Sequence, residues 1–540
     1  MMYTDKKNVL QLAALLKAYG VKQIVLSPGS RNSPLSHTFA TDAFFTCHSV
    51  VDERSAGFYA LGIIQATSEP AVICCTSGTA VLNYAPAVAE AFYQQLPLLI
   101  VTADRPEAHI GQMLGQTLPQ TGIYNTLVKK SVHLPEISND EDEWFCNRLI
   151  NEAIQAMDHH GKGPAHINIP ISEPLCEYTT GQPPTALKIN LCQPVKAFTD
   201  NRYIERFATY NKRMILIGQC QPDNHMETAL KKLACEKTCV VVCEHLANIH
   251  SSSFIGNFDE LLSTLSAKEK EPYMPELLIT LGGHVVSKRI KQFIRQFPVS
   301  EHWHISETGE IIDTYRQLTE VIECDITAFI HAIAENPIHA TSEAKTYATH
   351  WLQTSEEVAS HPTTLSAEET AVQMLLQAIP ADSSLHLANS SSVRYAQRFP
   401  ITKAIHVFCN RGTSGIEGSL STAVGYAATS NRQTYLLIGD LSFFYDMNGL
   451  WNRQLSNRLH IFLINNGCGK IFHTLPGLNR SEALNDYIAA THHTTAKGWA
   501  ESLGITYLSA SDPVELEKQM PAFIDDNNTR PILLELNKEL

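Results

Sequence analysis

The sequence predicts an α/β fold made of three doubly wound parallel-sheet domains. Three stretches of the 540 residues each alternate short β-branched runs with amphipathic helical runs. Parallel strands need long crossover connections, usually helices, so this alternation favours parallel sheets covered by helices. A chain of this length also has room for three to four domains of about 150 residues each.

The first domain is predicted over residues 1–180. An apolar segment with helical spacing, Leu10 to Leu16, indicates a first helix, and no small-residue cleavage site follows it as in a signal peptide. A stretch rich in Thr, Gly, Gln and Pro, Tyr178 to Pro184, predicts the linker that ends the domain. Strands are predicted at Gln23 to Leu26, Ala71 to Thr76 and Leu98 to Thr102, with helices at Ser55 to Gln65 and Ala80 to Gln95.

The second and third domains are predicted over residues 195–340 and 361–540, with a polar helical connector at Glu343 to Ser360 between them. The central domain resembles a Rossmann-like layer, but no GxGxxG follows any predicted strand, which argues against a nicotinamide dehydrogenase. The first and third domains share a coarse plan. Strands are predicted at Met214 to Ile217, Cys239 to Cys243, Glu276 to Leu281, His302 to Ser306, Leu385 to Ala388, Ala404 to Phe408, Thr434 to Ile438 and His460 to Ile464, with a helix at Ser287 to Gln296.

Composition excludes several classes of function. A formal net charge of −14 argues against a nucleic-acid partner, because phosphate binding needs clustered basic surface. No apolar stretch approaches the roughly 20 residues that span a bilayer. The thirteen cysteines include no CxxC pair, which favours reduced thiols and a cytoplasmic location. Cys235, Cys239 and Cys243 recur every four residues, but Cys239 opens a β-rich run, so buried thiols are favoured over a zinc site.

Ligands of open parallel sheets bind at the carboxyl ends of the strands, so the loops that follow strands are the candidate sites. The loop Ser27 to Pro34 contains hydroxyls, amides and Arg31, which suit a carboxylate or phosphate, although a plain capped turn is equally compatible. Asp52 to Gly57 lies where a strand ends and a helix begins. Its acidic residues fit either helix capping or catalysis.

The most informative loops are Gly439-Asp440-Leu441-Ser442 and Asn465-Asn466-Gly467-Cys468-Gly469, which follow consecutive predicted strands. The spacing brings Asp440 and Asn466 to one edge of the sheet. Carboxylate, amide and backbone carbonyl oxygens are hard ligands suited to Mg²⁺, which bridges protein oxygens to phosphates. The pair therefore predicts a metal-dependent diphosphate clamp.

With these motifs, the chain resembles the thiamine-diphosphate-dependent synthases that make 2-succinyl-5-enolpyruvyl-6-hydroxy-3-cyclohexene-1-carboxylate (SEPHCHC). The resemblance runs through all three domains, and the GDL of the diphosphate loop is typical of this family where other thiamine-diphosphate enzymes have GDG. The matching segments are SPGSRNSPL (27–35), DERSAGFYALG (52–62), TSGTAVLNYAPAVAEA (76–91), TADRP (102–106), GPAHINIP (163–170), SKR (287–289), NSSSVR (389–394), NRGTSGIEG (410–418), GDLSFFYDMNGL (439–450) and IFHTLPG (471–477).

The resemblance implies pyrimidine-binding, central and diphosphate-binding domains, in that order. It also implies a transferase of menaquinone biosynthesis that decarboxylates 2-oxoglutarate, adds the succinyl unit to isochorismate, and releases SEPHCHC and CO₂. The implied cofactors are thiamine diphosphate and Mg²⁺ or Mn²⁺. The implied assembly is a homodimer or homotetramer, with the active site between the first domain of one subunit and the third domain of another.

The resemblance also assigns roles to individual residues. Glu53 is the implied catalytic residue, bound to the aminopyrimidine ring. The other implied cofactor contacts are Ser390, Ile416 as an apolar wedge, Gly439, Asp440, Leu441, Ser442, Asn466 and Ile471. The implied metal ligands are Asp440, Asn466 and the backbone carbonyl of Cys468. Isochorismate is assigned to Ser30, Arg31, Arg105, Gln116 and Lys288, 2-oxoglutarate to Asn389, Ser390, Arg394 and Arg411, and the apolar walls to Phe472 and Leu475.

Two departures and two alternatives accompany this interpretation. Cys468 and Lys470 stand where small or neutral residues are usual in the family. The alternatives are another thiamine-diphosphate lyase, of the acetohydroxyacid synthase or 2-oxo-acid decarboxylase type, and a catalytically silent binding relative. The GDL motif and the set of cations argue against the first, and the presence of Glu53, Asp440 and Asn466 argues against the second.

Overall fold

The strands and helices follow from a computed structural model, which describes residues 2–192, 197–361, 364–401 and 404–537. The predicted start of the central domain at 195, and the predicted chain ends at 1 and 540, lie outside the described residues. Among the described helices, none combines the length and the apolar character that crossing a membrane requires.

The first domain contains a sheet whose interior strands are continuous buried apolar runs, as expected where helices cover both faces. Its strands are β1 (Gln23–Leu26), β2 (Thr46–Ser49), β3 (Ala71–Cys75), β4 (Leu98–Asp104), β5 (Lys130–His133) and β6 (Ala165–Pro170). Its helices are α1 (Lys7–Tyr19), α2 (Ser33–Thr41), α3 (Glu53–Thr67), α4 (Thr79–Asn83), α5 (Ala85–Tyr93) and α6 (Asp140–Ala156). The single helix predicted over Ala80 to Gln95 is wrong. It divides into α4 and α5, because Pro86 lacks the N–H that an uninterrupted helix needs and occupies the first turn of α5.

The central domain contains a second sheet, and its four predicted strands are confirmed within one residue at each end. Its strands are β7 (Arg213–Ile217), β8 (Val240–Cys243), β9 (Leu277–Leu281), β10 (Glu301–Ser306) and β11 (Glu320–Glu323). Its helices are α7 (Asn201–Thr209), α8 (Asn224–Cys235), α9 (Phe258–Thr264), α10 (Lys288–Gln296) and α11 (Ile326–Glu335), followed by the connector α12 (Ser342–Ser360).

The third sheet follows the connector. Its strands are β12 (Ser384–Leu387), β13 (His406–Phe408), β14 (Thr434–Gly439), β15 (Leu459–Ile464), β16 (Thr506–Ala510) and β17 (Ile532–Leu536). The helices of this region are α13 (Ala367–Ala378), α14 (Ser391–Gln397), α15 (Ser419–Thr429), α16 (Asp440–Tyr445), α17 (Lys497–Ser502) and α18 (Pro513–Phe523).

The strand order confirms the predicted fold class. Within the described residues the strands form three sheets, ordered β2-β1-β3-β4-β6-β5, β11-β10-β9-β7-β8 and β13-β12-β14-β15-β17-β16. Neighbouring strands whose register is described run parallel, as β3 does with β4 and β14 with β15. If the strands are numbered from one within each sheet, the first and third sheets both have the order 2-1-3-4-6-5. This confirms that these two domains share a plan.

The chain divides into two compact units. The first comprises residues 1–192, 386–390 and 410–540, and the second comprises residues 193–385 and 391–409. A single buried cluster of the first unit contains side chains from both of its sheet layers, among them Ile63, Val88, Leu436 and Ile461. Burial of a shared apolar core is the main stabilising contribution within this unit.

Helices α3 and α15 pack backbone to backbone inside the first unit. A Cβ atom on Gly62 would lie 2.0 Å from the carbonyl oxygen of Thr422, and one on Gly425 would lie 2.0 Å from the carbonyl oxygen of Tyr59. Only glycine permits so close an approach. The contact therefore holds the amino-terminal end of α3, where the Asp52-Glu53 motif lies, at a fixed position within the unit.

We expect Gly62→Ala to destabilise the protein. The added methyl group meets backbone atoms, so the helices must separate, at a cost of about 3 kcal/mol that exceeds the roughly 1 kcal/mol gained in helix propensity. The midpoint of thermal unfolding should fall. Gly498→Ala in α17 is the matched control, because its Cβ position meets nothing within 4 Å and the midpoint should stay or rise. Equal midpoints for the two variants would contradict the close packing of α3 and α15.

Candidate active site

A cavity of about 440 Å³ lies at the carboxyl ends of the strands in the first sheet. β1 lies between β2 and β3, so the chain leaves β1 to one side and returns on the other, which makes this edge a topological switch point. The cavity is lined by Pro28, Glu53, Thr76 to Ala80, Asn83, and Gln116 to Leu118. Glu53 and Gln116, which the sequence assigned to cofactor and substrate, therefore share one cavity.

Asp52 and Glu53, the acidic pair at the start of α3, make different contacts. Asp52 is the N-cap: its Oδ1 accepts a hydrogen bond from the Ser55 N–H at 3.1 Å, and its Oδ2 accepts one from Asn448 Nδ2 at 2.8 Å. Glu53 is the first helical residue, half-buried and facing the cavity. Burial raises the pKa of the Glu53 carboxyl, its own backbone N–H lowers it, and the charge of Asp52 raises it further. Capping is thus done by Asp52, which leaves the Glu53 carboxyl for the cavity.

Polar groups around this cavity are arranged by buried contacts. Gln120, 1% exposed, accepts a hydrogen bond from the Gly78 N–H at 2.9 Å and donates to Asn168 Oδ1 at 2.9 Å. Ser77 Oγ donates to the carbonyl oxygen of Gln116 at 2.8 Å. Thr76 Oγ1 is buried without a hydrogen-bond partner in the described part of the chain, and buried hydroxyls are normally paired. Thr76, which lines the cavity together with Glu53, therefore keeps an unused hydroxyl.

Ser30, Arg31 and Arg105 lie on neighbouring strand-end loops, but the described structure does not place them in the lining of this cavity. Ser30 is exposed. Arg31 is 4% exposed, and its guanidinium donates to the carbonyl oxygen of Ile171 and to Glu173 Oε1, both at 2.9 Å. Arg105 Nε is buried without a partner among the described residues. Of the three, Arg31 is held in place by protein groups and Arg105 retains an unused donor.

The third sheet brings Asp440 and Asn466 together at one edge, as their sequence positions predict. β14 and β15 pair in register up to Gly439 and Ile464, so the following loops leave the sheet side by side. Asp440 Oδ2 accepts hydrogen bonds from the N–H groups of Gly467 at 2.7 Å and Cys468 at 3.1 Å. Asn466 Oδ1 also accepts one from the Cys468 N–H, at 3.2 Å. The carboxylate thereby ties the two loops together.

The donor set at this edge fits a magnesium-bound diphosphate. Within the described residues, no group of three or more His, Cys, Asp and Glu side chains could hold a metal ion. An ion at this edge would therefore rely on one carboxylate with amide and carbonyl oxygens, completed by phosphate oxygens, which is the ligand set that Mg²⁺ accepts. Burial raises the pKa of the Asp440 carboxyl, while the Leu441, Gly467 and Cys468 N–H groups and the neighbouring His492 lower it.

His492 contacts the same carboxylate and was missed by sequence reasoning. Its Nε2 lies 3.4 Å from Asp440 Oδ2, and its backbone N–H donates to the carbonyl oxygen of Gly467 at 2.8 Å. It stands in the polar run THHTT, which has no motif spacing to either metal loop. No sequence signal could have identified it.

The loop 410–418 holds the implied wedge and one implied substrate cation. Asn389 Nδ2 donates to the carbonyl oxygens of Asn410 and Gly415, both at 2.7 Å. Arg411 Nη1 donates to Asn389 Oδ1 at 2.8 Å, while Arg411 Nε is buried without a partner in the described chain. Ser442 Oγ donates to the carbonyl oxygen of Ile416, whose apolar side chain is 39% exposed. The structure thus brings Asn389, Arg411, Ile416 and Ser442 into one bonded group.

The remaining residues assigned to this region lie on short loops. Ser390, next to Asn389, adopts a left-handed backbone with φ +72°. Ile471 and Phe472 lie half-buried in a short 3₁₀ helix, Lys470–Thr474, and Leu475 just beyond it is 36% exposed. These apolar side chains are partly exposed and follow directly on the loop that contains Asn466 and Cys468.

The second unit contains a larger cavity of about 940 Å³, whose lining includes Lys288, Arg289, Arg394 and Arg398. Arg398 is ion-paired with Glu260 and Glu369. The turn before Lys288 is held by Glu244, which accepts hydrogen bonds from the Val286 and Ser287 N–H groups at 2.7 Å each. Lys288 and Arg394, assigned by sequence to different substrates, therefore face the same cavity.

Comparisons with known proteins identify the family of the chain. The family model described as "Thiamine pyrophosphate enzyme, N-terminal TPP binding domain" matches residues 9–126, and the one described as "Middle domain of thiamine pyrophosphate" matches residues 185–387. SEPHCHC synthases of Bacteroides fragilis and Bacteroides thetaiotaomicron are each 49% identical to the chain, over 99% of its length and 96% of theirs. The SEPHCHC synthase of Flavobacterium psychrophilum is 37% identical over the same shares. The chain therefore belongs to the 2-succinyl-5-enolpyruvyl-6-hydroxy-3-cyclohexene-1-carboxylate synthase family of thiamine-diphosphate-dependent enzymes.

Proposed function

We propose that this chain is a SEPHCHC synthase of menaquinone biosynthesis, which decarboxylates 2-oxoglutarate and adds the succinyl unit to isochorismate. One observation carries the proposal. The Glu53 cavity and the Asp440–Asn466 edge, which we propose as the two halves of a thiamine-diphosphate site, lie in a chain that matches named synthases over 99% of its length. Either half alone is compatible with an ordinary strand-end loop.

Glu53 is the proposed proton-handling group. When bound, thiamine diphosphate supplies an electron sink for the electrons left by loss of CO₂ from a 2-oxo acid. The burial that raises the pKa of Glu53 brings its carboxyl closer to the range in which it shares a proton with a ring nitrogen. Because Asp52 caps the helix, this carboxyl is available to a ligand without loss of a structural bond.

Asp440, Asn466 Oδ1 and the Cys468 carbonyl oxygen are the proposed holders of Mg²⁺ or Mn²⁺. The Cys468 carbonyl oxygen accepts a hydrogen bond from the Lys470 N–H at 2.9 Å, and a carbonyl oxygen has two lone pairs with which to bind donors or a metal. Since the contact comes from the backbone, a thiol in place of a small side chain does not remove the ligand. Further cofactor contacts are proposed for Ser390, Ile416, Gly439, Leu441, Ser442 and Ile471.

The substrates are dicarboxylates, and an acidic protein of net charge −14 needs local cations to bind them. Arg411 is supported by its buried Nε and its fixed Nη1, which leave a guanidinium edge suited to a two-point carboxylate contact. We assign 2-oxoglutarate to Asn389, Ser390, Arg394 and Arg411. We assign isochorismate to Ser30, Arg31, Arg105, Gln116 and Lys288, with Phe472 and Leu475 as apolar walls.

The proposed assembly is a homodimer or homotetramer in which Glu53 of one subunit completes a site with the third domain of another. The proposed location is the cytoplasm, which is supported by thirteen cysteines that are all free thiols. The rival enzyme, an acetohydroxyacid synthase or oxo-acid decarboxylase, is disfavoured by the GDL motif at 439–441 and by the relatives' names.

A direct assay tests the function. Purified protein with thiamine diphosphate, Mg²⁺, 2-oxoglutarate and isochorismate should consume isochorismate and release SEPHCHC and CO₂. Chelation of the metal should abolish turnover, and Mg²⁺ should restore it, because Asp440 and Asn466 bring no positive charge to the diphosphate. Isochorismate absorbance and product mass are the measurements. An enzyme that consumes 2-oxoglutarate but ignores isochorismate would instead be one of the rival lyases.

Calorimetric measurement of the affinity for thiamine diphosphate tests the proposed metal site. Asp440→Ala should lower the affinity for thiamine diphosphate in the presence of Mg²⁺ by about tenfold or more. Asp525→Ala, at an exposed turn, should leave that affinity unchanged. Equal affinities for the two variants would remove the metal assignment.

Glu53→Gln should retain the fold and bind cofactor but lower kcat by about 100-fold or more, because a neutral amide cannot stabilise a protonated ring nitrogen as a carboxylate does. The measurements are kcat, the calorimetric affinity for cofactor, and the midpoint of thermal unfolding. Asp52→Asn is the control, since asparagine also caps helices. If Glu53 were only structural, its variant would instead lose about 1 kcal/mol of stability and keep its rate.

The two substrates should depend on different cations. Arg411→Ala should slow release of CO₂ from 2-oxoglutarate supplied alone, while Lys288→Ala should leave that release intact and raise KM for isochorismate. Each lost charge-assisted contact should cost about 1.5 to 3 kcal/mol, or roughly ten- to a hundredfold in the affected step. Single-turnover CO₂ release separates the variants. Equal slowing by both would show that the two sets of residues act on the same substrate.

A further inference from the structure

A buried carboxylate with no role in the sites above lies in α5. Glu90 is 1% exposed, and the described part of the chain gives its carboxylate hydrogen bonds but no ion pair. Its Oε1 accepts hydrogen bonds from the Gly412 N–H at 2.7 Å and from Gln94 Nε2 at 2.5 Å. Its Oε2 accepts from the Thr413 N–H and from Thr413 Oγ1, both at 2.6 Å. Four donors thus compensate one buried charge, and three of them come from loop 410–418.

The contact depends on the absence of a side chain at residue 412. A Cβ atom on Gly412 would lie 2.7 Å from the carbonyl oxygen of Glu90 and 3.1 Å from its carboxyl carbon. The loop therefore sits directly on the carboxylate, and consecutive backbone N–H groups point at its two oxygens. This is the arrangement by which a carboxylate orders a segment that has no helix or strand of its own.

The fixed residues are neighbours of the groups that the proposed reaction uses. Arg411 precedes Gly412, and its guanidinium is aimed at Asn389 Oδ1. Ile416 lies three residues beyond Thr413, and its carbonyl oxygen accepts from Ser442 Oγ. Glu90 thus holds the middle of the loop, while Asn389 and Ser442 hold its two sides. Loss of the middle contact leaves Arg411 and Ile416 held only by these two side contacts.

We propose that Glu90 is a positioning residue that fixes, from helix α5, the Arg411 guanidinium and the Ile416 side chain for 2-oxoglutarate and the cofactor. The proposal rests on the proposed function for the identity of that substrate. An amide cannot replace the carboxylate, because each oxygen accepts two hydrogen bonds and an NH₂ group on either side would face two donors. The proposed positioning of loop 410–418 therefore requires a carboxylate at residue 90.

Two measurements on Glu90→Gln test the proposal in the holoenzyme. Hydrogen exchange, followed by mass spectrometry, should be about tenfold faster in the peptide covering residues 410–418. KM for 2-oxoglutarate should rise about tenfold, while KM for isochorismate should change less than about twofold. A merely structural residue would instead lower the unfolding midpoint and change both KM values alike, and that result would overturn the proposal.

Glu276→Gln is the matched control. Glu276 also accepts two backbone N–H groups, from Asn211 at 2.8 Å and Lys212 at 3.1 Å, but it touches none of the proposed substrate residues. It should leave both KM values and the exchange of 410–418 unchanged. If Glu90→Gln fails to fold, Thr413→Val decides, because it removes only the hydroxyl donor. Unchanged exchange and an unchanged KM for 2-oxoglutarate in that variant would overturn the proposal.

The two readouts separate this inference from the proposed function. A wild-type protein inactive on both substrates would refute the function, and the exchange rates would still decide whether Glu90 holds the loop. An active wild type with identical exchange and identical KM values in Glu90→Gln would refute the role of Glu90 and leave the function standing.

Discussion

The backbone contact between α3 and α15 is the constraint on which the first unit depends. Gly62 and Gly425 bring two helices from distant parts of the sequence to a separation that no side chain would allow. The first turn of α3 holds Asp52 and Glu53, and α15 starts directly after the loop that contains Arg411 and Ile416. A rigid crossing of these helices therefore fixes two functional segments at once, which a softer interface with larger side chains would not do.

Buried carboxylates in the first unit also accept hydrogen bonds from backbone N–H groups, both in a strand-end loop and at the starts of helices. Asp440 accepts from Gly467 and Cys468, Asp446 accepts from Ser421 at 2.7 Å, and Glu535 accepts from Ala496. A buried N–H without a partner is costly, and a carboxylate can satisfy several at once. The arrangement has an electrostatic consequence: burial raises the pKa of Asp446 to about 6, although the hydrogen bonds from Ser421 lower it.

The repeated strand order explains why one chain carries two complementary half-sites. In the first sheet β1 lies between β2 and β3, and in the third sheet β12 lies between β13 and β14. The topological switch point therefore has the same place in both sheets, and the loops that follow the strands leave each sheet at its carboxyl edge. One edge presents Glu53 in the lining of a cavity, and the other presents the oxygen atoms of Asp440 and Asn466. The same strand order therefore carries two different sets of loops: one places Glu53 at a cavity, and the other joins Asp440 to Gly467 and Cys468.

The sequence by itself determined the fold class, most interior strands and the loops that carry the chemistry, because buried parallel strands and strand-end motifs are local patterns. The interior strands β6 and β17 were not predicted, because His166, Asn168 and Glu535 interrupt their apolar runs. The edge strands β2, β5 and β11 were not predicted either, since their burial is partial and their pairing comes from neighbours distant in sequence. Only the tertiary structure decided that Asp52 caps α3 while Glu53 faces a cavity. The sequence does not show at which of two adjacent acidic residues the helix starts, and that position decides which side chain is the cap. The tertiary structure likewise revealed Gln120, His492 and Glu90, whose hydrogen-bond partners lie up to 323 residues away, a separation at which no spacing rule applies.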